Sequence, residues 1–422
     1  MKKHFTVAII GAGGRGYTYA CLFEKREEFS VVSVCDINPA QIDKMKAAFP
    51  LEEDALFTSE EAFFEKKRAD ILVVATCDSC HVRQCIRAMR MGYDVLLEKP
   101  ISDSREEIDA LLNAQRETGR TVVVCHVLRY SPAIWKLDEL LASGVLGKLI
   151  AIDHFENVAF WHQAQAYVRI QRMYNDTQHP TILAKCCHDL DLIQHFAASR
   201  CKTVSSIGDL RHFRPENAPE GATERCVDCP HKDTCLYSAK RIYIDFWKQK
   251  GSPVFRWPWN KISLDNPNTE EKLYEGIQKT GFGRCAYFCE VEQNPHVVDN
   301  QMVQMRFENG VTASLKMLFT AEPGRRIQFF GTAGEIIYDE IIDSITVKPY
   351  FGEPQRYTVS VLNEGGWGHG GGDEGLIGAM YDILTKKTAQ YTSLEESVES
   401  HLMGIAAEES RLDGGKLVWV HS

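Results

Sequence analysis

A short β-branched run, Phe5-Thr6-Val7-Ala8-Ile9-Ile10, stops at Gly11-Ala12-Gly13-Gly14-Arg15-Gly16, and a helix-compatible stretch, Tyr17 to Glu28, follows at once. Few local patterns restrict a chain more than this one. Glycines at G-x-G-x-x-G spacing, placed between a strand and a helix, form a dinucleotide-binding turn. Gly11 permits the tight turn, Gly13 lets a pyrophosphate approach the backbone, and Gly16 lets helix and strand pack closely. The free N–H groups at the helix start, around Gly14 and Arg15, face the phosphates.

The next strand pattern, Val31 to Cys35, ends in Asp36. An acidic side chain there accepts hydrogen bonds from ribose hydroxyls and repels a 2′-phosphate, which predicts NAD rather than NADP. Further strand–helix units follow: Asp70 to Ala75 with a helix from Ser79, Tyr93 to Leu97 with a helix from Ser102, and a last strand over Val122 to Val127. Such alternation predicts a parallel, doubly wound α/β Rossmann domain over residues 1–127. With 422 residues in all, a second domain over 128–422 is expected.

At the end of the Tyr93–Leu97 strand stands Glu98-Lys99-Pro100. Ligands bind at the carboxyl ends of such strands, so Lys99 reaches the nicotinamide end of the crevice. Together with the glycine turn, Asp36, Thr76, His81 and Arg129-Tyr130-Ser131-Pro132, this triplet resembles the glucose–fructose oxidoreductase/inositol dehydrogenase/MocA family. The resemblance implies that Lys99 belongs to the catalytic centre and that Thr76, His81, Glu98 and Arg129 serve the cofactor. It also implies a substrate held between the nicotinamide and the sheet of the second domain.

The second half carries hairpin patterns at Val297–Glu308 with Thr312–Phe319 and at Arg326–Phe330 with Glu335–Asp339, turned at Asn309-Gly310 and Ala333-Gly334. Helical stretches follow around Gly375–Lys387 and Leu394–Leu412. An α+β domain with a large, mostly antiparallel sheet is expected. Before the hairpins, Ile182 to Asp191 opens an amphipathic helix where relatives usually carry Asp-x-Gly-x-His and a later Asp. His188 and Asp191 match, but Ala184 replaces the aspartate and Cys186 the glycine. Lys185 is the adjacent candidate to replace the lost group, by donating to substrate oxygens.

Hydride leaves a C–H bond only as the attached hydroxyl loses its proton, which assigns His188 as the base and Lys99 as the group stabilising the oxygen. Trp161-His162 and Tyr167-Val168-Arg169 form a polar-aromatic stretch suited to a sugar, with His162 and Arg169 as contacts. His369-Gly370-Gly371-Gly372-Asp373 reads as a loop folding over ligand, with His369 and Asp373 binding hydroxyls. Three functions remain open here: a sugar or cyclitol dehydrogenase, a redox-neutral NAD-dependent glycosidase working by transient oxidation, and a non-catalytic NAD-binding regulator. Retention of Lys99 and His188 argues against the last.

Residues from about 201 to 294 have no counterpart in the family pattern. They include Cys226-Val227-Asp228-Cys229 and Cys235, with Cys285 as the preferred fourth ligand over Cys289. The spacing predicts a structural zinc, and an iron–sulfur cluster satisfies it equally. The first residues run into a stretch too short for a signal segment, so the expected location is cytoplasmic and the fourteen cysteines are expected as thiols or ligands rather than disulfides. Cys21, Cys35, Cys77 and Cys125 sit in apolar runs and are expected to be buried. A net charge of −10 with no basic block argues against nucleic acid as a partner, and no apolar run reaches membrane-spanning length. A small sugar or glycoside and other copies of the chain, as a homo-oligomer, are the expected partners.

Overall fold

The computed structural model describes residues 3–170, 179–253, 258–262, 268–364, 369–388 and 392–421. The glycine turn follows β1 (Phe5–Ile10), the centre of a six-stranded sheet with β2 (Phe29–Cys35), β3 (Leu56–Phe57), β4 (Ile71–Val74), β5 (Asp94–Leu97) and β6 (Val122–Val124). The order is β3-β2-β1-β4-β5-β6 and every pairing is parallel. β4 and β6 are buried at every residue, as strands covered on both faces must be. The strand order reverses between β1 and β4, opening the ligand crevice at their carboxyl ends.

The second sheet has nine strands: β7 (Leu149–Ala159), β8 (Cys201–Asp209), β9 (Asn300–Phe307), β10 (Thr312–Thr320), β11 (Gly324–Gly331), β12 (Gly334–Asp339), β13 (Ser344–Pro349), β14 (Gln355–Tyr357) and β15 (Val418–Trp419). Their order is β14-β13-β12-β11-β7-β10-β9-β8-β15. Only β7 and β10 pair in parallel; the other pairings are antiparallel. Burial alternates residue by residue along β9, so one face looks to the core and one outward. The core face is covered by the helices Thr181–Ala197 and Leu394–Leu412, whose apolar residues join the sheet in one cluster.

Two boundaries differ from the sequence reading. β8 is a strand of the large sheet, so the inserted segment begins after Asp209 rather than at Cys201. The helix Gly372–Leu384 packs Leu376, Ile377 and Met380 into the same core as β1 and β2, so the chain returns to the Rossmann domain after leaving it near residue 127. The inserted segment has its own core, including Phe213, Tyr243, Trp259 and Ile277. Among the described residues none of the fourteen cysteines is in a disulfide; Cys35 and Cys125 are buried, Cys21 is half-buried, and Cys77 is exposed because it lies in the turn after β4. Among the described residues no helix is long and apolar enough to cross a membrane.

Candidate active site

The glycine turn fits a dinucleotide. A Cβ on Gly11, whose φ is +90°, would stand 2.4 Å from the Ala75 carbonyl oxygen, and one on Gly16 would stand 2.0 Å from the Gly11 oxygen. At Gly13 a Cβ would meet nothing within 4 Å, which leaves that side open to a pyrophosphate. The Asp36 carboxylate accepts from the Ala12 and Asn38 amides at 2.7 and 2.8 Å, at the ribose end of the turn. The inserted segment also reaches this turn: the Lys261 ammonium lies 3.8 Å from where a Gly14 Cβ would be. No local pattern links Lys261 to the turn, because the contact depends on how the insertion folds back.

The Arg15 side chain ties the end of β5 to the returning Gly372–Leu384 helix. Its Nε donates to Glu98 Oε1 at 2.6 Å and its Nη2 to Asp373 Oδ1 at 2.6 Å. Tyr19 donates to Glu98 at 2.6 Å, and His369 Nδ1 meets Asp373 Oδ2 at 2.9 Å. Burial works against ionisation of Glu98, but the Arg15 and Lys99 charges and the Tyr19 hydrogen bond hold it below the usual carboxyl range. Burial likewise opposes the charge on Asp373; the His369 hydrogen bond and Arg15 outweigh it and hold the group at about 2. Asp373, expected at a substrate hydroxyl, is thus spent on this clasp.

Lys99 and His188 come together on one cavity of about 210 Å³, with Arg15, Thr76, His81, Glu98 and His369 among its walls. Lys99 arrives from the end of β5 and His188 from the Thr181–Ala197 helix. Burial pulls the Lys99 ammonium down, while Cys187, Glu98 and Asp78 more than offset it, so its pKa is raised. Burial, followed by the positive Lys99, pushes the His188 imidazole well below its ordinary range, leaving it neutral at pH 7. His81 is fixed between the Pro100 and Thr76 carbonyls at 2.7 and 3.3 Å, and Thr76 donates to Gln84 at 2.6 Å. On the far side of His369 lies a second cavity of about 220 Å³, lined by Ser131, Arg325, Tyr338, Glu340 and Asn363.

The comparisons settle the relationship. The family model described as "Oxidoreductase family, NAD-binding Rossmann fold" (GFO_IDH_MocA) matches residues 5–126, and its companion for the C-terminal alpha/beta domain matches residues 138–417. The chain belongs to the GFO_IDH_MocA oxidoreductase family. It is 24% identical over 376 residues to YteT of Bacillus subtilis (strain 168), whose name places it among oxidoreductases; the match spans 84% of this chain and 82% of YteT. It is 28% identical over 159 residues to the 2,7-anhydro-N-acetylneuraminate hydratase of Escherichia coli (strain K12), spanning 37% of this chain and 42% of that one. Among solved structures, the WlbA dehydrogenase of Bordetella pertussis in complex with NADH and UDP-GlcNAcA superposes with a TM-score of 0.67 at 15% identity, covering 99% of both chains.

Within this GFO_IDH_MocA member, the altered helix motif has a visible consequence. Lys185 pairs with Glu156 of β7 at 2.7 Å, and Arg325 of β11 contacts Glu156 at 3.0 Å and Asp189 at 2.9 Å. His154 closes the group on Asp189 at 2.8 Å. Burial pushes the Glu156 carboxyl up despite both cations, whereas Asp189 is held low against burial by Arg325 and His154. Sequence reading missed Glu156 and Asp189. The available signal was the alternation of β7, which turns Ile152, His154 and Glu156 to the core face. His162 belongs near this group: burial, then the charges of Lys185 and Lys99, push it down to about 3, and its ring lies 5.5 Å from that of Tyr167.

Several expected site residues lie elsewhere. Arg129 and Asp191 bind one another through two hydrogen bonds, of 2.7 and 2.6 Å, and neither lines the cavity around Lys99. Arg169 is buried in the insertion's surroundings, donating to the Arg284 and Tyr237 carbonyls at 2.8 and 2.6 Å, so it does not reach a substrate position. Among the described residues no three His, Cys, Asp or Glu side chains stand in metal-holding geometry, so the zinc expectation gains no support there. Cys226, Cys229, Cys235 and Cys285 do, however, line a single small cavity.

Proposed function

We propose that the protein oxidises or reduces a hydroxyl-bearing carbon of a sugar, sugar derivative or cyclitol, with NAD as its cofactor. The observation that carries this reading is the meeting of Lys99 and His188 on one cavity beyond the carboxyl ends of β1, β4 and β5. NAD, when bound on the glycine turn beside Asp36, supplies the hydride acceptor or donor. His188, neutral and part of the cavity wall, takes the hydroxyl proton at a ring nitrogen. The Lys99 ammonium donates to the same oxygen and stabilises its developing negative charge. Arg325, Tyr338, Glu340 and Asn363 on the adjoining cavity offer the mix of donors and acceptors that ring hydroxyls need. The Bordetella structure, holding NADH and a UDP-sugar on this fold, supports the sugar class.

A second reading is a redox-neutral glycosidase in which oxidation is transient and the aglycone is eliminated. The altered helix motif keeps it open, with Ala184 where relatives carry aspartate and Lys185 tied to Glu156 at 2.7 Å. The hydratase relative points the same way. The outer face of the second sheet exposes Ile207 and Met302 as cross-strand neighbours, and we place homo-oligomer contacts there.

The deciding experiment supplies NAD with free sugars, inositols and chromogenic glycosides while NADH absorbance and aglycone release are followed together. Stoichiometric NADH from a free polyol supports the dehydrogenase. NAD-requiring aglycone release without NADH replaces it with the glycosidase. Under either reading Lys99→Ala lowers kcat by about 10²–10⁴-fold while NAD affinity is kept; a fully active variant removes Lys99 from the chemistry.

A further inference from the structure

The inserted segment holds a cluster that the active site does not use. Cys226, Cys229, Cys235 and Cys285 line one cavity of about 10 Å³, room for roughly a single water-sized sphere. Local structure brings them there from three places in the chain. Cys226 and Cys229 share a turn, with the Cys229 amide donating to the Cys226 carbonyl at 3.4 Å. Cys235 closes the next turn, its amide on the His231 carbonyl at 2.8 Å. Cys285 is delivered by an antiparallel bridge between Arg225 and Arg284, in which the Cys226 amide donates to Gly283 at 2.9 Å and the Cys285 amide to Glu224 at 2.8 Å. Cys226, Cys229 and Cys285 are at least nine-tenths buried. Cys289 is absent from this wall and donates instead to the Cys285 carbonyl at 3.3 Å.

A second, independent observation concerns charge. Arg169 is 1% exposed, and its guanidinium donates to two carbonyls and, at 3.8 Å, to the Cys226 sulfur. Its Nη1 has no hydrogen-bond partner among the described residues, the guanidinium faces the Tyr243 ring at 5.7 Å, and no carboxylate of the described residues pairs with it. A buried cation without an anion is strongly unfavourable. The groups beside it that become anionic on binding a metal are the thiols, because a coordinating thiol is deprotonated outright.

We propose that Cys226, Cys229, Cys235 and Cys285 bind one Zn²⁺ as thiolates, with Arg169 as the buried counter-cation of the centre. The ion displaces four thiol protons to solvent, giving a site of net charge minus two that the guanidinium half neutralises. Among the described residues no three such side chains stand at metal-holding geometry; the proposed change is rotation of side chains that already share one cavity, to Zn–S distances of about 2.3 Å. His231 also lines the cavity, but its Nε2 is engaged by the Glu220 carbonyl at 2.7 Å, which favours four thiols. The small volume suits one ion rather than an iron–sulfur cluster. With four protein ligands the ion has no open position, so its role is to pin the insertion. The proposal stands apart from the catalytic reading, since metal content is measured without turnover.

Elemental analysis of the full-length protein is expected to give one zinc per chain, released in step with mercurial titration of the thiols. Cobalt-loaded protein is expected to show sulfur-to-cobalt charge transfer and intense tetrahedral d–d bands. Absence of metal, iron with inorganic sulfide, or a Cys226–Cys285 disulfide on peptide mapping would each overturn the site. Cys229→Ser should lower bound zinc at least about tenfold; should it fail to fold, wild-type metal content alone decides. Arg169→Met should keep zinc but weaken it about 10–100-fold in chelator competition, and unchanged affinity would refute the counter-cation.

Discussion

Arg129 and Arg169 are buried almost equally, at 2% and 1% exposure, yet their surroundings differ in kind. Arg129 meets the Asp191 carboxylate through two hydrogen bonds and Gln194 through a third at 3.1 Å. Arg169 meets carbonyl oxygens, a thiol and the Tyr243 ring. Both arginines donate hydrogen bonds, but among the described residues only the first has its charge answered by a carboxylate. The frame that carries His188 therefore closes electrostatically on its own residues. The insertion leaves a positive charge open beside four cysteines, and that asymmetry separates a self-sufficient core from one built around something bound.

The largest effect is expected where the answering charge is removed from the closed frame. Asp191→Asn removes the carboxylate that meets Arg129 at 2.6 Å and leaves it the half-exposed Glu396 at 3.7 Å, and breaking one partner of a buried pair costs about 3–5 kcal/mol. Urea denaturation should show that loss with the m-value unchanged. A cost under about 1 kcal/mol would mean that Gln194 and neighbouring groups carry the charge, and the contrast with Arg169 would fail. The insertion should behave differently. Arg169→Met is expected to cost about 1.4–2.7 kcal/mol in zinc-loaded protein, the equivalent of its weakened metal binding. In chelator-treated protein the same change should be neutral or stabilising, because it removes an unanswered cation. Equal losses in both states would make Arg169 a packing residue only.

How much of this was legible in the chain follows from the range of each interaction. The cofactor turn is a local matter of strand, glycine and helix, so the strand Phe5–Ile10, the turn at Gly11 and the helix from Gly14 form in the order the pattern predicts. The hairpins of the second sheet were equally local, with Gly310 at φ +90° in the turn between β9 and β10. The pairs that organise the site are not local. Arg15 with Asp373, Arg129 with Asp191, and Lys185 with Glu156 each join distant segments, and a residue's type alone does not name its partner. Arg169 was misplaced for the same reason: a basic residue among aromatics reads equally as a sugar contact or as the lining of a buried core. The return of the Gly372–Leu384 helix to the Rossmann core was invisible because amphipathicity shows that a face is buried, not against what.

The smallest effect tests whether the closed frame extends to the clasp between the cofactor turn and the returning Gly372–Leu384 helix. Asp373 is answered twice, by Arg15 at 2.6 Å and by His369 at 2.9 Å, and its carboxyl is held at about 2 against an ordinary 3.8. A depressed carboxyl stabilises the fold fully above the unfolded value and loses that contribution as pH falls through the folded one. Its share is at most about 2 kcal/mol, present above pH ~4 and gone near pH ~2. Asp373→Asn should therefore lie below wild type by that amount at neutral pH, and the gap should begin to narrow as denaturation is repeated below pH ~4. The cost is smaller than for Asp191→Asn because Arg15 keeps Glu98, and His369, 42% exposed, can turn to water. A gap that holds constant down to the lowest pH at which both proteins fold would show that Asp373 acts by shape rather than charge. The clasp would then resemble neither arginine's surroundings.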